Sequence, residues 1–200
     1  MKVNYCRGLM AVGLLVAFGG LAGCGELGSS GAEVRVYLQN TGGPGGGGPV
    51  TDAMGLAGFA GDVDVRVVAL IQDDGGFWTD VTSSAQELTF TLGEDSGRIE
   101  LGRRSLAPGT YSQARLIFTR VEVQLTDAPP GFAMPPDGTV RVQLGSGDRV
   151  PVTRNATMIL TGDETVEVTF DLGAETWLPG AIDGVVGTTL FSSAVSVQVN

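Results

Sequence analysis

Acidic side chains cluster in two short stretches of the sequence. Asp62 and Asp64 stand two residues apart, and Asp73, Asp74 and Asp80 surround the turn DDGGFWTD. Alternate residues of a strand point to one side, and the turn would bring the other aspartates near. Ca²⁺ takes about six to eight oxygen ligands, so a Ca²⁺ site at Asp62, Asp64, Asp73 and Asp74 is one interpretation. The other is that turn aspartates hydrogen-bond their own backbone. EF-hand spacing and other cofactor motifs are absent from the sequence.

Two tryptophans, Trp78 and Trp177, are the only ones in the chain. An aromatic ring beside polar side chains suits the apolar face and hydroxyl groups of a sugar, and Glu175 lies two residues before Trp177. Both tryptophans also adjoin turns, where such a ring covers the end of a core. The sequence therefore leaves two interpretations open: ligand contacts at Trp78, Trp177 and Glu175, or core residues.

The composition excludes several classes of chemistry. The chain has no histidine, which rules out Ser-His-Asp and Cys-His catalysis and removes the commonest zinc ligand. The net charge is −10, which argues against nucleic acid as a partner. We therefore expect a protein that is not an enzyme, without a catalytic residue to name.

The first residues have the layout of a secretory signal. Lys2 and Arg7 precede an apolar run that ends near Leu21, and small residues lead to Cys24. The run is shorter than the roughly 20 residues of a transmembrane helix. Leu21-Ala22-Gly23-Cys24 resembles the lipobox of bacterial lipoproteins, in which the cysteine is lipidated and the chain is cut before it. The alternative is an ordinary secretory signal with a chance cysteine.

The lipobox resemblance divides the chain. Residues 1–23 would be a signal peptide and residues 24–32 a flexible tether, with residues 33–200 as one domain. Of the 12 basic residues, two precede Cys24 and no acidic residue does, so the mature chain would carry 10 basic and 22 acidic groups, a net charge of −12. Cys6 would be removed, which leaves Cys24 for lipid and no disulfide. Gly25 replaces the aspartate that marks retention at the inner membrane, so we expect an outer-membrane lipoprotein.

Strand patterns recur along the rest of the chain. The stretch EVRVYLQ alternates in polarity, and VDVRVVALI, ELTFTL, TVRVQL, TVEVTFDL and FSSAVSVQV repeat that period of two. Residues 40–61 are rich in glycine and proline and predict a disordered loop. About nine or ten strands with short turns and no amphipathic helix predict an all-β fold. We expect an antiparallel β-sandwich with Greek-key connections, similar to immunoglobulin or transthyretin domains.

One segment, LAPGTYSQARLIFTRVEVQL, changes its phase. Its early apolar residues occupy even positions and its later ones odd positions. Because strand side chains alternate strictly, the change predicts a bulge or break near Thr119 and Arg120. Pro108 and Gly109 would turn into this strand, and the Tyr111 hydroxyl would bond nearby backbone.

These residues also carry a family resemblance. The chain from about Asp62 onward resembles an uncharacterised family of bacterial lipoprotein domains. The matching residues are Gly75, Gly76, Trp78, Leu106, Pro108, Gly109, Tyr111, Arg115, Phe170 and Asp171. The sequence TDAPP stands at Thr126–Pro130 here, whereas the family places a similar motif after its first strand. The resemblance implies a β-sandwich outside the cytoplasm and no activity.

Two functions follow as hypotheses. The first is a lipid-anchored module of the cell envelope that binds or supports another component, with the membrane, a glycan or an envelope protein as partner. The alternative is a carbohydrate-binding module that uses Trp78 or Trp177 with neighbouring acidic groups.

Overall fold

The computed structural model describes residues 31–41, 58–93 and 97–200. The predicted signal peptide, Cys24 and most of the glycine-rich loop lie outside these residues. The strands are β1 (Ala32–Gln39), β2 (Ala60–Asp73), β3 (Trp78–Asp80), β4 (Gln86–Thr91), β5 (Ile99–Leu106), β6 (Gly109–Asp127), β7 (Thr139–Val142), β8 (Val150–Leu160), β9 (Thr165–Asp171), β10 (Val185–Val186) and β11 (Ser196–Val199). The helices are α1 (Ala174–Trp177) and α2 (Thr188–Ala194), with a 3₁₀ turn at Leu178–Gly180.

The strands form two sheets. The four-stranded sheet has the order β11-β9-β1-β5, and the seven-stranded sheet is built on β2 and β6. Strands β3 and β4 pair with β2, whereas β7 and β8 pair with β6, and β10 joins β7. The predicted all-β sandwich is confirmed. Its sheets are mixed rather than wholly antiparallel, because β1 runs parallel to β9 and β7 runs parallel to β10.

A single hydrophobic core lies between the sheets. Strand β2 shows why: its alternate residues Val63, Val65, Val67, Ala69 and Ile71 are fully buried, as the period-two pattern predicts. The four-stranded sheet contributes residues of β1 and β9 to the same cluster. Because side chains of a strand alternate, burial of this set places the intervening residues of β2 on the outer face of the sheet.

Strand β6 is continuous over 19 residues and carries the predicted bulge. Arg66 pairs with Arg120, whereas the next residue, Val67, pairs with Phe118, so Thr119 is an extra residue in β6. Phe118, which precedes the bulge, and Val121, which follows it, are both buried. The bulge keeps both apolar sets of β6 in one core.

The C-terminal stretch differs from its predicted single strand. Phe191 belongs to α2, and only Ser196–Val199 form β11, so the strand prediction is wrong over its first part. The Oγ atoms of Ser192 and Ser193 donate to the carbonyl oxygens of Thr189 and Leu190 at 3.1 and 2.9 Å. Serine side chains make such bonds to the preceding turn when they stand within a helix. No helix in the described residues has the length and apolar character to cross a membrane.

Candidate functional site

Three amide side chains cross the outer face of the seven-stranded sheet in one row. Gln72 of β2 pairs with Gln113 of β6, and Gln113 pairs with Asn155 of β8. On the other side Gln72 pairs with Trp78 of β3. Directly opposed residues of antiparallel strands point to the same face, so we name Gln72, Gln113 and Asn155 the amide row, with Trp78 at its edge. None of these side chains belongs to the core.

Amides suit a surface that recognises hydroxyl groups. Each carries a carbonyl acceptor and an NH₂ donor, and neighbouring strands lie about 4.8 Å apart. The row therefore offers alternating donors and acceptors over roughly 10 Å from Gln72 to Asn155. Gln72 already donates from Nε2 to the Gly76 carbonyl oxygen at 2.9 Å, and its Oε1 accepts no hydrogen bond from the part of the chain that the structure describes.

Arg115 lies in the next row of the same face. Its guanidinium carbon sits 3.9 Å from the centroid of the Trp78 ring, and its Nε donates to Thr153 Oγ1 at 2.7 Å. Arginine stacks on aromatic faces through a cation–π interaction. Arg115 and Trp78 are both half-buried. These contacts hold the guanidinium in place, and no carboxylate of the described residues lies within 4.0 Å of it.

Trp177 and Glu175 do not belong to this surface. Trp177 is fully buried, its Nε1 donates to the Leu172 carbonyl oxygen at 3.1 Å, and its ring meets Phe191 edge to face at 5.5 Å. Glu175 is also buried, and Asn40 Nδ2 lies 3.5 Å from its Oε1. The prediction of ligand contacts at these two residues is therefore wrong, since both side chains are buried.

The candidate Ca²⁺ ligands lie at opposite ends of β2. Nine residues separate Asp64 from Asp73 along one strand, which places them roughly 30 Å apart. No single ion can contact both pairs, so the expected grouping is wrong. Asp62 Oδ1 and Asp64 Oδ1 instead accept hydrogen bonds from Thr91 and Thr89 at 3.0 and 2.5 Å.

The turn aspartates follow the structural interpretation. Asp73 Oδ1 accepts the backbone N–H of Phe77 at 2.8 Å, as aspartates do in turns. Gly76, with φ of 85°, provides the left-handed residue of this hairpin. Within the described ranges, no group of three or more acidic or cysteine side chains is placed to hold a metal ion.

An open groove of about 410 Å³ lies beside the sheet edge, between the β3–β4 connection and β5. Gly102 allows the close approach, because a Cβ there would stand 2.9 Å from the Val81 carbonyl oxygen. Arg103 lines the groove and pairs with Glu100 at 3.7 Å. Asp80 also lines it, so charges of both signs share its walls.

Comparison with known proteins gives no family assignment. No protein-family model, curated protein or solved structure matches the chain. The resemblance to a lipoprotein domain family therefore stays a prediction.

Sequence reasoning found Trp78 but missed the amide row. Gln72 and Gln113 are ordinary polar residues of alternating strands, and nothing in the sequence around Asn155 relates it to them. The row exists because of the pairing register of four strands. A correct register for β2, β6 and β8 is the signal that would have revealed it.

Proposed function

We propose that this chain is a lipid-anchored, non-catalytic binding module of a bacterial cell envelope. The sequence Leu21-Ala22-Gly23-Cys24 after a short apolar run supports the anchor. Lipidation with more than one acyl chain gives stable membrane attachment. The absence of histidine from the chain and the loss of free thiols on lipidation favour binding over catalysis.

The observation that carries the binding role is the amide row beside Trp78. Further along this face the charged side chains pair with one another, as Arg66 and Arg120 do with Glu87. The row through Gln113 instead carries uncharged hydrogen-bonding groups and one aromatic ring, with Arg115 in the next row. A ligand with many hydroxyl groups matches this surface.

A glycan is therefore the ligand class that we favour, and Trp78 is its aromatic contact. Sugar rings present apolar C–H faces, and their hydroxyl groups require donors and acceptors. An envelope protein is the competing partner. An extended peptide would pair with the backbone of a free sheet edge. At the amide row that leaves β3 and β8, whereas Gln72 and Gln113 lie on β2 and β6, which are already paired on both sides.

The anchor is tested by metabolic labelling with an alkyne-bearing fatty acid. Wild type should acquire label in the membrane fraction, and Cys24→Ser should lose it. Cys6→Ser is the matched control, since Cys6 belongs to the segment that would be removed. A label that survives Cys24→Ser contradicts lipidation at this residue.

The ligand class is tested on a glycan array with the purified lipidated chain in detergent. Trp78→Ala and Gln113→Ala should each reduce binding to the recognised glycans by about fivefold or more, since each removes a contact of about 1–3 kcal/mol. Gln198→Ala is the control, because Gln198 is an exposed glutamine of β11 in the other sheet. An array without any bound glycan argues for the envelope-protein alternative.

A further inference from the structure

Arg115 is a half-buried arginine for which the described residues supply no acidic partner. Within the same residues, six other arginines lie within 4.0 Å of a carboxylate: Arg35, Arg66, Arg98, Arg103, Arg120 and Arg141. Arg154 is satisfied differently, because it donates to the carbonyl oxygens of Val195 and Ser192. Arg104 and Arg149 also have no carboxylate within 4.0 Å among the described residues, but both are exposed. Arg115 is therefore the half-buried arginine of the described residues that has neither a counter-charge nor a backbone acceptor.

The contacts of Arg115 orient the guanidinium without using most of its donors. Thr153 Oγ1 accepts only the Nε–H, and the Trp78 ring contacts the flat face of the group. The Nη donors therefore have no hydrogen-bond partner among the described residues. A guanidinium presents these donors as a planar fork that matches the two oxygens of a carboxylate. Stacking fixes that fork before a ligand arrives, which lowers the ordering cost of binding.

The surroundings of Arg115 favour an anionic group on a hydroxylated ligand. Gln113 lies two residues from Arg115 on the same face of β6, so the amide row and Arg115 occupy neighbouring rows of one surface. Asp80 stands in the row of Arg115, but Leu70 separates them. The guanidinium reaches Trp78 of the same strand as Asp80, yet no carboxylate oxygen of the described residues lies within 4.0 Å of it.

We propose that the outer face of the seven-stranded sheet binds an acidic polysaccharide, with the carboxylate of a uronic acid residue paired to Arg115. The sugar hydroxyl groups would meet the amide row, and Trp78 would contact the ring while holding the guanidinium. This inference rests on the proposed function, because it names the glycan class for the same surface.

The experiment compares acidic polymers with their own methyl esters. Polygalacturonate, alginate and hyaluronan would be titrated against the lipidated chain in detergent by calorimetry, each beside its fully methyl-esterified form. Esterification removes the charge and keeps the sugar ring. At least one acid form should bind about tenfold or more tightly than its ester, the range expected for a charge-assisted hydrogen-bonded pair. Added salt should weaken binding of the acid form only.

Three variants locate the charge. Arg115→Gln should abolish the difference in affinity between the acid polymer and its ester, and with it the salt dependence of binding to the acid form. Arg115→Lys should restore part of the difference, since an ammonium keeps the charge and loses the planar fork. Arg66→Gln should leave the affinities for both polymers unchanged, although Arg66 of β2 lies on the same face of the sheet as Arg115. Because the comparison of acid with ester uses wild type, it stands even where a variant does not fold.

The outcomes separate this inference from the proposed function. Equal affinity for acid and ester forms, or binding to none of the acid polymers, overturns the uronic acid assignment. Preference for sulfated dextran over every uronate polymer also overturns it. If neutral glycans bind on the array in a manner sensitive to Gln113→Ala, the proposed function stands without this inference. If no glycan binds at all, the glycan as ligand class and this inference both fail, and the envelope-protein alternative stands.

Discussion

The hydroxyl of Tyr111 donates a hydrogen bond to the carbonyl oxygen of Ala107 at 3.1 Å. This bond closes the turn through Pro108 and Gly109 by which the chain passes from the four-stranded sheet into β6. Burial raises the pKa of Tyr111 above its ordinary value of 10.0, and the nearby charge of Asp73 adds to the increase. The neutral, donating phenol is therefore the form that the fold favours.

Tyr111→Phe should lower the free energy of unfolding by about 0.5–1.5 kcal/mol, the net value of one hydrogen bond. The ring stays in place, so only the contact with Ala107 is lost. Urea unfolding followed by circular dichroism measures the change. Tyr37→Phe is the control, because the Tyr37 hydroxyl lies 3.4 Å from Glu167 Oε1 and makes a weaker bond. An unchanged midpoint for Tyr111→Phe would show that the turn does not need this bond.

The bulge at Thr119 makes a second prediction. Deleting Thr119 should leave the protein folded, because Arg120 would then follow Phe118 directly and match the pairing of Arg66 and Val67 in β2. Phe118 and Val121 would both still face the core. Deleting Thr119 and Arg120 together should abolish folding, since Val121, Val123 and Leu125 would turn to the solvent. Near-ultraviolet circular dichroism and thermal unfolding distinguish the two deletions.

This bulge also shows how far the sequence alone reaches. The phase change in β6 and the buried set of β2 were predictable, because side chains alternate strictly in a strand and the core selects one face. The tyrosine contact was predictable because it is local. The parallel pairing of β1 with β9 was not, since the two strands lie more than 120 residues apart and no short turn dictates their direction.

The helix at Thr188–Ala194 was missed for a different reason. Phe191, Val195, Val197 and Val199 satisfy a period of two, so the pattern favours a strand. Phe191 instead packs against Phe118 and Trp177, with ring centroids 5.1 and 5.5 Å apart. Arg154 bonds the carbonyl oxygens at the end of the helix. These tertiary contacts override the local sequence pattern. The amide row was not predictable for a similar reason, because it depends on the pairing of strands that are distant in the sequence.

The two tryptophans should respond differently to a quencher. Trp177 is fully buried, whereas Trp78 is partly exposed. In Trp177→Phe, which leaves Trp78 as the only tryptophan, acrylamide should quench fluorescence efficiently. In Trp78→Phe, the remaining Trp177 should emit at shorter wavelength and resist quenching. Trp177→Ala should cost about 3–5 kcal/mol of stability, as truncation of a large core ring does. Equal quenching of both single-tryptophan variants contradicts the burial of Trp177.

Acid titration tests a turn between β8 and β9. The Glu164 carboxylate accepts the backbone N–H and the hydroxyl of Thr161 and the N–H of Gly162. These bonds, led by the Thr161 N–H, lower the pKa of Glu164 from 4.5 to about 2. A carboxylate whose pKa falls on folding stabilises the folded state at every pH above its pKa in the unfolded chain. That stabilisation is lost as the pH falls toward the pKa in the folded protein.

Glu164→Gln should therefore lower the urea midpoint at pH 7 relative to wild type. The gap between the two proteins should narrow as the pH falls from 4.5 to about 2, where wild-type Glu164 also becomes neutral. Glu87→Gln controls for removal of one surface carboxylate, because Glu87 makes only long ion pairs with Arg66 and Arg120, at 3.8 and 4.0 Å. A gap that stays constant or widens in acid means that the turn is not held by the ionised carboxylate.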